Sequence, residues 1–177
     1  MRGDSMICAT CQEQFKSYGK QAGYEVLYIY NDFFRQLLFR FKACGDLALA
    51  PVFLNGHEKR LQKKYKDFII VPAPSNDVEN KQRGFLTLVE IFVSLKLQIL
   101  PVLYKDYNYK QALKKGNDRQ EVYKVIKIKN KHLLKGKKVL FVDDLTTSGH
   151  TMNACLSQIQ TANPACIAVL ILAKKKG

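Results

Sequence analysis

The segment Val139–Thr151 has the residue types and spacing to do chemistry. Four apolar residues, Val139, Leu140, Phe141 and Val142, precede the acids Asp143 and Asp144. Leu145 and Thr146 follow, then Thr147-Ser148-Gly149-His150-Thr151. The apolar run predicts a buried strand, and the acids fall at its carboxyl end, where open α/β sheets bind ligands. The glycine- and hydroxyl-bearing turn predicts the start of a helix. Backbone N–H groups and the helix dipole hold a phosphate at such a place. Gly149 permits close backbone approach, and Thr146, Thr147, Ser148, His150 and Thr151 supply further polar contacts. Two carboxylates repel a bare phosphate, so Asp143 and Asp144 are expected to accept hydrogen bonds from the hydroxyls of a sugar that carries it. No Gly-x4-Gly-Lys occurs, which excludes the commonest nucleoside-triphosphate loop.

Two further groups carry chemistry. Cys8 and Cys11 form half the ligand set of a structural zinc ribbon, which needs four ligands. Zinc is therefore not expected in this chain, and Cys44 is placed at a helix end, a poor third ligand. Cys155 and Cys166 are expected as small core residues. The second group is basic. Residues 105–138 hold twelve Lys and Arg against Asp106, Asp118 and Glu121, with Tyr104, Tyr107, Tyr109 and Tyr123 interleaved. Cations that neutralise phosphates and rings that stack on bases suit single-stranded nucleic acid. Lys110, Lys114, Lys115 and Arg119 are the expected contacts. The whole chain of 177 residues carries a net charge of +14, which favours polyanionic partners.

These groups need a scaffold. Val26, Tyr28 and Tyr30 alternate and predict a strand over 25–30. Phe34, Leu37, Leu38 and Phe41 recur at helical spacing behind a cap at Asn31 or Asp32. A helix start is expected over 46–54, interrupted at Pro51. Further strands are expected over 68–71, 99–104, 125–128, 139–142 and 166–173. Helices are expected over 85–95 and 149–160, with 75–84 as a loop. Strands alternating with helices predict an α/β fold with a central, mostly parallel sheet flanked by helices. Residues 1–23 are polar and are expected as a short cysteine-containing, partly zinc-ribbon-like leader, with 24–177 as the main domain. No apolar run is long enough to span a membrane and no signal-peptide core is present, so a cytoplasmic protein is expected.

Val139–Thr151 resembles the phosphoribosyl pyrophosphate motif of type I phosphoribosyltransferases: four hydrophobic residues, two acids, two variable residues, then Thr-Thr-Gly-x-Thr, with Ser148 in place of the second Thr. More of the chain is similar to one branch, the ComF-type competence family. The resemblance rests on Tyr30-Asn31-Asp32, Phe41–Asp46, Val71-Pro72-Ala73-Pro74 and Arg83-Gly84-Phe85, then Gln111 and Arg119, and covers roughly residues 24–177. Leu86 and Val122 depart from it, where the family usually has Asn. It implies a type I phosphoribosyltransferase fold that binds phosphoribosyl pyrophosphate or a ribose phosphate together with Mg²⁺. Asp143, Asp144 and Arg119 would then be catalytic, and Pro74, Ser75 and Arg83 would lie on the pyrophosphate side. A mobile loop over 105–120 would close on the substrate. It further implies a role in DNA uptake, with single-stranded DNA and other competence proteins as partners, and a missing first half of the cysteine leader. A non-enzymatic DNA-binding module and a nucleobase-salvage enzyme remain alternatives.

Overall fold

The computed structural model describes residues 7–21, 23–75, 77–106 and 125–176. A short helix α1 (Ala9–Gln14) leads into the hairpin β1 (Ser17–Gln21) and β2 (Tyr24–Ile29). Helix α2 (Asp32–Ala43) follows, then a 3₁₀ segment over Leu47–Leu54 and α3 (Glu58–Lys64). Strand β3 (Phe68–Pro72) is followed by α4 (Asp77–Arg83), α5 (Thr87–Phe92) and the small strands β4 (Leu103–Lys105) and β5 (Ile126–Ile128). The chain ends in β6 (Lys138–Thr146), α6 (His150–Gln160) and β7 (Cys166–Lys174).

The main sheet has the order β1-β2-β7-β6-β3. The β1–β2 pair is antiparallel, and the other neighbours run parallel. Strand β6 lies between β7 and β3 and has one apolar cluster on each face. Leu140 and Val142 join the cluster of α2 and α5, while Val139 and Phe141 join that of α6 and β5. All four are fully buried, as a strand covered on both faces requires. Helix α2 forms because Asn31 accepts a hydrogen bond from the Phe34 N–H at 2.8 Å, and because Phe34, Leu38 and Phe41 make one buried stripe.

Several expectations change. Residues 17–21 form a strand that adds an edge to the main sheet. Phe15 packs on Tyr28, Phe33 and Phe34. Residues 77–83 are helical and not a loop. The predicted helix over 85–95 is a shorter α-helix with a 3₁₀ turn after it. The predicted strand over 99–104 touches the main sheet only at an Ile70–Ile99 bridge, and Leu103–Lys105 pairs with β5 in a separate small sheet. Cys155 is buried as expected, but Cys166 is exposed. It opens β7 opposite Lys138, at the sheet end that faces solvent. Among the described residues no helix is long and apolar enough to cross a membrane.

Candidate functional site

Strand β6 runs further than its apolar residues predict. It pairs with β7 as far as Thr146–Lys174, whereas β3 stops at Pro72 opposite Val142. The Ala73 N–H makes the last bond, to the Val142 carbonyl at 2.9 Å. Pro72 and Pro74 lack N–H donors and turn the chain away. A cavity of about 490 Å³ opens where β3 leaves β6, and Asp143 and Asp144 line it.

Strand alternation puts the two acids on opposite faces. Asp144 shares the face of Leu140 and Val142 and makes an ion pair with Lys42 from α2. Asp143 lies on the other face. Its Oδ1 accepts the Asp144 backbone N–H at 2.9 Å. Burial, and then the neighbouring Asp144 carboxylate, push the Asp143 carboxyl up to about 8. Burial also raises the Cys155 thiol on this side, with a smaller contribution from Asp143.

The remaining charged residues of the cavity are all cationic: Lys42, Arg83, Lys105 and Lys129. Arg83, Ser75 and Pro74 are on this surface. Arg83 also ties elements together. Its Nε donates to the Lys42 carbonyl at 2.6 Å and its Nη1 to Thr87 Oγ1 at 3.0 Å. Ser75 Oγ accepts from Asn80 Nδ2 at 2.6 Å, while Asn80 Oδ1 is buried with no partner among the described residues.

The predicted turn falls into two parts. Thr151 lines the cavity. Thr147 and Ser148 are exposed, and Ser148 Oγ is 2.6 Å from His150 Nδ1. Thr146 is buried as the last residue of β6, apart from the exposed hydroxyls after it. Gly149 has φ +78° at the cap of α6, a conformation that L side chains rarely adopt. Arg119, Gln111, Lys110, Lys114 and Lys115 lie outside the described residues.

Sequence reasoning did not place Asn80, Lys105 or Lys129 in the cavity, and it left Lys42 without a role. No local pattern marks them, because α4 was read as a loop and the two lysines were read as part of a basic run. At the leader, the Cys11 backbone N–H and then its thiol hydrogen-bond the Cys8 sulfur and lower the Cys8 pKa, and the Cys11 thiol is raised in return. Among the described residues no three metal-ligating side chains come together.

Residues 90–177 match the phosphoribosyl transferase domain family. The chain is 30% identical over 129 residues to the competence protein ComFC of Bacillus subtilis, covering 72% of this chain and 53% of that protein. It is 27% identical over 158 residues to ComFC of Streptococcus pneumoniae, covering 89% and 70%. Residues 90–177 thus form a phosphoribosyl transferase domain, in a chain similar to ComFC competence proteins. The chain spans about half the length of the Bacillus relative. The fold is also that of a solved hypoxanthine phosphoribosyl transferase of Trypanosoma cruzi, at a TM-score of 0.50 and 13% identity over 72% of this chain and 74% of that one. The family match begins in α5 and includes the acid pair and the turn, but leaves out Lys42, Ser75 and Arg83.

Proposed function

We propose that this ComFC-like chain binds phosphoribosyl pyrophosphate, or a ribose 5-phosphate, in the cavity beside β6, and that it serves DNA uptake. One observation carries the proposal. An acid pair suited to a sugar diol lines a cavity whose other charged groups are four cations suited to phosphates. Thr151 and the start of α6 stand beside the acids, where a 5′-phosphate gains from helix N–H groups.

In the reaction, the bond from ribose C1 to pyrophosphate breaks and a nucleophile such as a base takes the carbon. Asp143 and Asp144 hold the ribose hydroxyls, and Arg83, Lys105 and Lys129 balance the departing pyrophosphate. Mg²⁺ enters as the complex of its pyrophosphate substrate and supplies charge neutralisation there. Among the described residues no three metal-ligating side chains come together, so the cation would be held chiefly by the pyrophosphate itself. Calorimetry with phosphoribosyl pyrophosphate and Mg²⁺ tests binding, and pyrophosphate release with a panel of bases tests transfer. A wild-type chain that binds neither phosphoribosyl pyrophosphate nor ribose 5-phosphate would exclude this function.

The printed names of the relatives support the link to competence, and the exposed lysines 129, 131, 135, 137 and 138 support single-stranded DNA as a partner. Affinity for single-stranded DNA should fall with salt at a log–log slope of about −0.7 per phosphate contacted. Lys114→Ala, Lys115→Ala and Arg119→Ala together should flatten that slope. An unchanged slope would remove these three residues from the interface.

A further inference from the structure

The ion pair between Lys42 and Asp144 joins α2 to the tip of β6. Phe34, Leu38 and Phe41 bury the stripe of α2, which leaves Lys42 beside it in the last turn. Asp144 projects from the face of β6 that carries Leu140 and Val142, and these two pack in the same cluster as Phe41. The two charges therefore meet where that cluster ends and the cavity begins. Their side chains are 33% and 15% exposed, so this is not a solvated surface pair of little worth.

Lys42 is held from both ends. Its ammonium meets Asp144. Its carbonyl, one of the last in α2, accepts from Arg83. Arg83 is in turn tied to Thr87. The helix end is thus bracketed to the α4–α5 junction, and the lysine stem has a fixed origin. Such bracketing is what aims a group at a partner with little loss of freedom on binding. The cavity also has other cations for an anion to meet. Among the described residues, Lys105 and Lys129 line it without an ion pair, whereas the charge of Lys42 is already engaged.

We infer that Lys42 is a positioning residue for sugar recognition, acting through Asp144 by fixing its carboxylate at the cavity wall so that the free lone pairs meet the ribose diol. This rests on the phosphoribosyl function proposed above. It assigns Lys42 to the sugar side of the cavity, and pyrophosphate to Lys105, Lys129 and their neighbours.

A double-mutant cycle tests the assignment. Calorimetry on the full chain would measure ribose 5-phosphate and, separately, Mg²⁺-pyrophosphate, for the wild type, Lys42→Met, Asp144→Asn and the pair. Lys42→Met should weaken ribose 5-phosphate by about tenfold, within the coupling range of contacting residues. In the Asp144→Asn background the same change should cost less than about twofold, because the residue it acts through is gone. Mg²⁺-pyrophosphate affinity should stay within about twofold. Lys42→Arg keeps the charge and should lose less than Lys42→Met. Should Lys42→Met melt early, Lys42→Gln replaces it. Additive losses in the double variant would overturn the inference, as would a loss confined to pyrophosphate, or an Arg variant as weak as the Met variant with an unchanged Tm. A wild-type chain that fails to bind ribose 5-phosphate would instead remove the proposed function at the first titration, before any variant is compared.

Discussion

Asp143 and Asp144 are neighbours in sequence with opposite surroundings. Asp144 leans toward α2 and has a lysine counter-ion. Asp143 leans toward α6, where Met152, Ala154 and Cys155 pack with Val139 and Phe141. One side of the strand is a wet, charge-balanced rim, and the other is a dry apolar wall. A single β-strand thus turns two identical side chains into a charged acceptor and a protonated acid. The cause is the two-residue alternation of strands, which sends consecutive side chains into different solvents. A sugar diol then meets one group that accepts and one that can donate.

The largest effect should come from removing both acids. Asp143→Asn with Asp144→Asn should cost ribose 5-phosphate about a hundredfold, the worth of about two charged or strong hydrogen bonds, while sparing sulfate or inorganic phosphate. Equal loss of both ligands by calorimetry would erase the division between sugar and phosphate. Separating the two acids sharpens the comparison. At pH 6, Asp144→Asn alone should cost about tenfold, and Asp143→Asn clearly less, since Asp143 is already neutral there. Equal losses at that pH would mean that the two faces do not differ.

Stability against pH probes the dry side directly. The folded chain holds the Asp143 proton up to about pH 8, whereas an unfolded aspartate releases it near its ordinary value of 3.8. Between those values the folded state binds more protons, so stability should fall as pH rises, by up to about 1.4 kcal/mol per unit from this group. Asp143→Asn should remove that fall, so its stability relative to the wild type should grow as pH rises from 5 to 8. Tm measured from pH 5 to 8.5 in both proteins decides it, and parallel curves would contradict a buried acid. The smallest effect is chemical. Cys155 shares the dry wall with Asp143 and its thiol is raised by burial, whereas Cys8, Cys44 and Cys166 are exposed. A thiol reagent at pH 8 should label the exposed cysteines at once and Cys155 only after unfolding. Rapid native labelling of Cys155 would show that water reaches this face.

Some of this was decided locally, and so could be read from the chain alone. Val139–Val142 had to be a buried strand, Gly149 had to end a turn, and the acids had to stand between them. Composition and spacing over thirteen residues carry that information, because strand, turn and helix start are set by neighbours. The helix at α2 followed from its stripe for the same reason, and so did the parallel core. Tertiary structure decided what faces the acids. Lys42 lies about a hundred residues before Asp144, and it meets that acid only because α2 packs on the same face of β6 that Asp144 shares. Asn80 reaches Ser75 only because residues 77–83 coil into α4, which their polar composition did not suggest. Asp143 is pushed toward its protonated form only because β6 sets it against the apolar cluster of α6 and beside Asp144. Charge state depends on solvent and on partners, and both are assigned when distant segments pack, not when the residues are chosen.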